Sequence, residues 1–307
     1  MYHYIRAYNK TLPNFKFLHQ ADFKLQLDYF EKKYGFVKLE DWESYVKTGN
    51  YEKIKGKIVL TFDDSIKDHF NVVYQELKKR KLWGIFYIPT IPYINNKILT
   101  VHQIHLLCGI YSGKDLLEYT KSLLSDKMIK DEVIAEFKDK SYFYWTNEDG
   151  VSEFKRILNY YLNKEYLDYI LGKILEKFEL NINSNKFYCS EYELKEMSKN
   201  NMILGSHSRD HLVMSNLNYN DQYTQIKESM DFIETITHTN LKTYCHPFGG
   251  FPSFNNITLK ILKDLNFDYA FNVEYRDINE NDWEISKYHL PRYDCNEFPY
   301  GKIREKT

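Results

Sequence analysis

Lys57-Ile58-Val59-Leu60-Thr61-Phe62-Asp63-Asp64-Ser65 is the stretch on which the fold turns. From Lys57 to Phe62 it is apolar and β-branched, too short for a helix and without the alternation of a half-exposed strand. The pattern predicts a strand buried on both faces. It breaks off at two adjacent carboxylates and Ser65. Beyond them Phe70, Val73, Tyr74 and Leu77 recur at helical spacing. A buried strand that passes through a polar loop into a helix is one βα unit.

Further units lie outward from this one. Trp83-Gly84-Ile85-Phe86-Tyr87-Ile88 reads as a second buried strand, stopped by Pro89. Ser190 with Glu193 forms a capping box that opens a helix to about Asn200. Met202-Ile203-Leu204-Gly205 is a strand running into Ser206-His207, and Tyr223, Ile226, Met230 and Ile233 mark the face of the next helix. Leu241 to Cys245 is a strand leading into His246-Pro247-Phe248-Gly249-Gly250. A helix over 255–265 then precedes a strand at Tyr269-Ala270-Phe271. Near the N-terminus Phe23, Leu27 and Phe30 share one helical face. Such alternation builds right-handed βα units and a parallel sheet or barrel. Residues 100–186 break the rhythm and read as consecutive helices. The expected organisation is therefore an α/β barrel from 1–99 and 187–307 with a helical insertion over 100–186. That insertion is expected to be a wall or lid over the barrel mouth, an oligomer surface, or a plain stabilising appendage.

Composition narrows the function. With 42 basic and 43 acidic residues the net charge is -1, which argues against a nucleic-acid stripe and gives no reason to invoke an acidic membrane surface. No apolar run approaches the roughly 18 residues of a membrane span. Met1 to Arg6 lacks the basic-then-apolar order of a signal peptide, so a cytoplasmic location is expected. Cys108, Cys189, Cys245 and Cys295 are widely spaced and form no CxxC pair; they read as free thiols rather than a zinc ribbon or disulfide frame. The aromatic share of 17% is read first as core filling and only second as sugar stacking.

Three polar clusters stand at the C-terminal ends of expected strands: Asp63-Asp64, His207 to His211, and His246 to Gly250. Parallel barrels gather their catalytic loops at that edge. Two neighbouring carboxylates repel unless a cation is near; with one, a carboxylate can ligate while the other serves as base. A turn or helix cap uses the same residues. His207 and His211, four apart, are expected to meet on one side of a helical turn, a span over which two imidazoles can share a metal. Unconnected surface histidines would show the same spacing. Taken together, one carboxylate and two imidazoles make three ligands and leave positions open for water and substrate, with a free carboxylate alongside. The same ligand types also suit Fe(II), but no cosubstrate motif accompanies them.

These motifs resemble those of the polysaccharide deacetylase family (NodB-homology, carbohydrate esterase family 4). Thr61-Phe62-Asp63-Asp64 is similar to its first motif, and Gly205-Ser206-His207-Ser208-Arg209-Asp210-His211 to its second. The Tyr2-His3-Tyr4 opening, the strand ending at Pro89 and Leu290-Pro291-Arg292 extend the likeness. The resemblance implies a distorted (β/α) barrel with fewer strands than a full eightfold one. It implies a divalent metal on Asp64, His207 and His211, with zinc expected and Co, Mn, Ni or Fe as alternatives, and Asp63 as the base that activates the metal's water. The implied reaction is hydrolysis of a non-peptide C–N bond, releasing acetate from an N-acylated amino sugar or glycan precursor. Two departures stand out. Cys245 occupies the place of an arginine in the third motif, R-x-P-[YF]-G, so Arg292 is the candidate to orient Asp63. The Phe248 N–H, after Pro247, is the candidate oxyanion donor. The family's late histidine acid is missing, and His246 is taken for it ahead of His69 and His289. Another amidohydrolase, an O-acetyl esterase and a carbohydrate-binding pseudoenzyme are the competing readings.

Overall fold

The computed structural model describes residues 1–129 and 150–303, so part of the expected helical stretch, 130–149, lies outside the described residues. The chain forms two compact units: Met1–Tyr8, Phe17–Lys97 and Ser184–Thr307 in one, Asn9–Lys16 and Ile98–Asn183 in the other.

In the first unit, β1 (Ile5–Arg6) and β2 (Leu18–His19) pair in parallel. The main sheet follows: β3 (Thr61–Asp63), β4 (Ile85–Ile88), β5 (Ile203–Ser206), β6 (Thr243–Cys245) and β7 (Tyr269–Phe271). Its strands are parallel and lie in sequence order, so all five end at one edge. The β3 ladder begins later than its apolar run suggests and includes Asp63. The reason is hydrogen bonding: the Asp63 N–H donates to the Tyr2 carbonyl at 2.9 Å while Asp63 stands in register with Tyr87.

Alternation along the strands sorts the side chains. Phe62, Phe86, Leu204, Tyr244 and Ala270 enter one core with Phe23, Leu27, Ile226 and Ile261. Ile85, Tyr87, Ile203, Cys245, Tyr269 and Phe271 enter the other with Trp42 and Tyr45. Asp63, one residue past Phe62, belongs to the side of Tyr87 and Cys245.

The sheet curls because both edges are extended by irregular chain. Tyr2 donates to the Thr61 carbonyl at 2.9 Å on the β3 side, and Leu290 exchanges two bonds of 2.8 Å with Ala270 and Asn272 on the β7 side. These two segments then meet: the Met1 amino group donates to the Tyr293 carbonyl at 2.6 Å, and Cys295 N–H to the Met1 carbonyl at 3.1 Å. The result is the distorted (β/α) barrel with fewer than eight strands that the resemblance implies.

The other unit, taken by itself, has helices at Thr100–Ile110, Gly113–Leu123, Val151–Arg156 and Lys164–Lys177. Its core holds Ile104, Leu107, Leu116, Phe154, Leu158, Ile170 and Ile174. Residues 9–16 join it, with Asn14 N–H donating to the Gly109 carbonyl at 2.8 Å. No helix among the described residues is long and apolar enough to cross a membrane.

Candidate active site

The loops after β3, β5 and β6 converge. Asp64 and Ser65 take left-handed backbone angles, φ 84° and 55°. That turn sends the two neighbouring carboxylates in different directions. Asp64 Oδ1 lies 3.7 Å from His207 Nε2 and 3.6 Å from His211 Nε2, and all three side chains are buried. Donors about 2.0–2.1 Å from one tetrahedral cation stand roughly 3.3–3.4 Å apart. The observed spacing is close to that and too long for hydrogen bonds, so the set fits a divalent cation taking two nitrogens and one oxygen.

The His207 ring is held from behind. His207 Nδ1 is 2.8 Å from the Cys245 carbonyl. A carbonyl only accepts, so Nδ1 carries the proton and the Nε2 lone pair faces Asp64. Burial, opposed by Asp63 and Asp64, lowers the His207 pKa and favours this neutral, ligating form. Contrary to expectation, residues 207–211 are not a helical turn. Ser208 and His211 are left-handed, φ 60° and 54°, and His211 N–H donates to Ser208 Oγ at 3.0 Å. The buried Gln225 pins the middle of this loop, accepting from Asp210 N–H at 2.8 Å and donating to its carboxylate at 2.6 Å. The helix Tyr219–Ile236 accordingly buries Gln222 and Gln225 and leaves the expected core residue Tyr223 exposed.

Asp63 faces Arg292. Arg292 Nη1 and Nη2 donate to the two carboxylate oxygens at 2.9 and 2.8 Å, Nη1 also reaches Thr61 Oγ1 at 3.0 Å, and Nη2 lies 2.8 Å from Cys245 Sγ. The guanidinium sits 5.7 Å from the ring centres of both Tyr87 and Phe271. Burial by itself would raise the Asp63 carboxyl. The Arg292 guanidinium, helped by His207, reverses this and holds it well below the usual carboxylate range. Arg292 thus fills the space opened by Cys245. The Cys245 thiol is pushed upward by burial, only partly offset by Arg292. Asp63, His207 and Cys245 form a second group of metal-binding types, but burial disfavours the thiolate of Cys245 and the carboxylate is already engaged by Arg292.

The loop 246–250 packs against the cluster through Phe248, whose ring centre is 4.8 Å from that of His211. Phe248 is left-handed at φ 65°, as is Gly249 at 63°, where a Cβ would run into Val273. Pro247 is buried. His246 is buried too: it stacks on Phe254 at 3.9 Å, its Nε2 lies 2.8 Å from the Tyr288 carbonyl, and burial holds its pKa down to about 3. His69 lies between Phe62 and Phe86 in the core. His289 is half-buried against Phe251 and Phe254.

One histidine beside Asp63 was not given a role from sequence. His3 Nε2 stands 4.0 Å from Asp63 Oδ2 with its side chain 38% exposed, the only partner of Asp63 described here that opens to solvent. Its signal was its place in the Tyr2-His3-Tyr4 opening, which pairs beside β3.

Five parallel strands curled into a partial barrel, with these polar loops at the strand ends, define the NodB-type deacetylase fold. The family model described as Polysaccharide deacetylase matches residues 138–270 of the chain. That span holds His207, His211 and the 246–250 loop; Asp63, Asp64 and Arg292 lie outside it and are brought in by the fold. Among solved structures, a deacetylase from Streptococcus pyogenes in complex with acetate is 16% identical, with 95% of this chain and 88% of that one covered and a TM-score of 0.55. A polysaccharide deacetylase from Bacillus cereus is 14% identical, with coverage of 95% and 62% and a TM-score of 0.52, so this chain spans under two thirds of that protein. A de-N-acetylase from Aggregatibacter actinomycetemcomitans is 12% identical, with coverage of 95% and 92% and a TM-score of 0.50. At such identities the likeness is one of fold. No curated protein sequence matches the chain.

Proposed function

We propose that this chain is a metal-dependent deacetylase that hydrolyses the acetamido group of an amino sugar or glycan to acetate and a free amine. One observation carries the reading: Asp64 within 3.6–3.7 Å of two histidine Nε2 atoms, beside a second carboxylate fixed by a buried arginine. Asp64, His207 and His211 would hold a divalent cation such as zinc, which when bound would supply Lewis acidity and lower the pKa of nearby water.

The chain's own groups supply the proton traffic. Asp63 accepts a proton from the attacking water. Arg292 keeps that carboxylate charged and oriented. Water oxygen adds to the carbonyl carbon, the Phe248 N–H stabilises the developing oxyanion, and the C–N bond breaks as the nitrogen takes a proton. His3 suits that last transfer better than His246. It is solvent-open and near Asp63, whereas His246 is stacked inside the core and holds its ring against the Tyr288 carbonyl.

The test pairs metal content with acetate release from N-acetylated sugars. Asp64→Ala should lose both. Asp63→Asn should keep metal and lose turnover by about a hundredfold or more. Full activity of Asp63→Asn, or metal retained at wild-type affinity by Asp64→Ala, would refute the assignment.

A further inference from the structure

His69 is buried and takes no part in the chemistry above. Its ring centre lies 5.8 Å from those of Phe62 and Phe86, an environment that a phenylalanine would fill. What phenylalanine would lack is a donor. His69 Nε2 is 2.9 Å from the backbone carbonyl oxygen of His3. Since that oxygen only accepts, Nε2 carries the proton and Nδ1 is left as a bare acceptor. Among the described residues Nδ1 has no hydrogen-bond partner. An unmatched buried acceptor is unfavourable, and packing gives no reason to keep one; the bond to His3 does.

Two further features tie His69 to the site. Its N–H donates to the Ile66 carbonyl at 2.8 Å, so it is anchored to the loop that follows Asp64. It also opens a π-helical turn, His69–Tyr74, a backbone form that occurs disproportionately at functional sites. His3 itself is flanked by Tyr2, whose backbone pairs with β3, and by Tyr4, whose carbonyl accepts from Leu18 N–H at 2.9 Å. The His3 carbonyl is one point where this segment is tied to the loop after β3, another being the Arg6 Nε bond to Asp68 Oδ2 at 2.6 Å.

We infer that His69 is a positioning residue: its Nε2–H bond to the His3 carbonyl fixes the backbone from which the His3 imidazole reaches toward Asp63. This rests on His3 as the proton donor proposed above.

The experiment compares two leaving groups. The zinc-loaded protein, its His69→Phe and His69→Gln variants, and each in a His3→Ala background are assayed with N-acetylchitopentaose and with 4-nitrophenyl acetate. An amide must leave as a protonated amine, whereas nitrophenolate leaves without a proton. His69→Phe should lower kcat for the amide about tenfold, the worth of one buried hydrogen bond, with KM and ester turnover held within about twofold. His69→Gln, which keeps an N–H at similar reach, should recover most of the loss. In the His3→Ala background His69→Phe should cost nothing more. Equal losses on amide and ester, a full additional loss without His3, or unchanged amide turnover would each overturn the role of His69. Ester turnover also reports whether a variant is folded and loaded. A wild-type protein that hydrolyses the ester but frees no acetate from any N-acetylated sugar would sink the deacetylase reading itself, and this role with it.

Discussion

Arg292 spends its fork on one carboxylate, and both partners are buried. Removing one member of such a pair leaves an uncompensated charge in the interior, a loss of about 3–5 kcal/mol. Arg292→Met should therefore lower the urea midpoint strongly. It should also let burial raise the Asp63 carboxyl, moving the acid limb of the rate profile to higher pH. Combining it with Asp63→Asn should restore much of the stability but none of the activity, because a neutral pair needs no counter-charge. Unchanged stability in the single variant would mean that the ion pair does not form as described. Arg292→Lys keeps the charge but not the two parallel bonds, so it should hold more stability than it holds turnover. The same residue shows why sequence alone reached only part of the site. Cys245 in place of an arginine drew attention to Arg292, but only the closure of the barrel brings residues 229 apart in sequence into contact.

At the level of elements, β5 is built around a missing side chain. A Cβ on Gly205 would come within 2.5 Å of Tyr87 Cε1 and 2.7 Å of Thr243 Cγ2, rigid neighbours on the strands to either side. Gly205→Ala should cost about 1–3 kcal/mol through overpacking. Because His207 follows two residues later, it should weaken zinc binding as well. Thermal melting with and without zinc would test both, and an unaltered zinc-induced shift would show that β5 does not set the His207 position. The strands themselves were legible, since short β-branched runs ending in polar loops have few other uses. Their ends were less so: Asp63 is in the ladder because it pairs with Tyr87 on β4, and Tyr2, from far upstream, adds a backbone bond on its other side. The loop 207–211 was misread as a helical turn because spacing cannot register Ser208 and His211 in left-handed geometry. Gln225 escaped notice for a related reason, since apolar periodicity is blind to a polar side chain buried to hold a loop.

For the molecule as a whole, what was least legible was closure. Nothing in the Tyr2-His3-Tyr4 opening signals that Met1 will meet Tyr293, yet that meeting puts His3 and Arg292 on either side of Asp63. A barrel closed this way seals histidines inside it, and this has a consequence for acid stability. Burial holds His69 down to about 4 and His246 down to about 3, and lowers His207 as well. In the unfolded chain each imidazole takes a proton near 6.5. As pH falls below that value the unfolded chain binds protons that the native barrel refuses, so stability falls, by roughly 1.4 kcal/mol per pH unit for each such histidine. Asp63 acts in the same direction, but only below its unfolded value near 4. The zinc-free protein should therefore melt at steadily lower temperature from pH 7 to pH 5, and the dependence should be shallower in His246→Phe, which removes one of the titrating groups. A melting temperature that stays level across this interval would mean that the buried imidazoles are not held neutral by the fold.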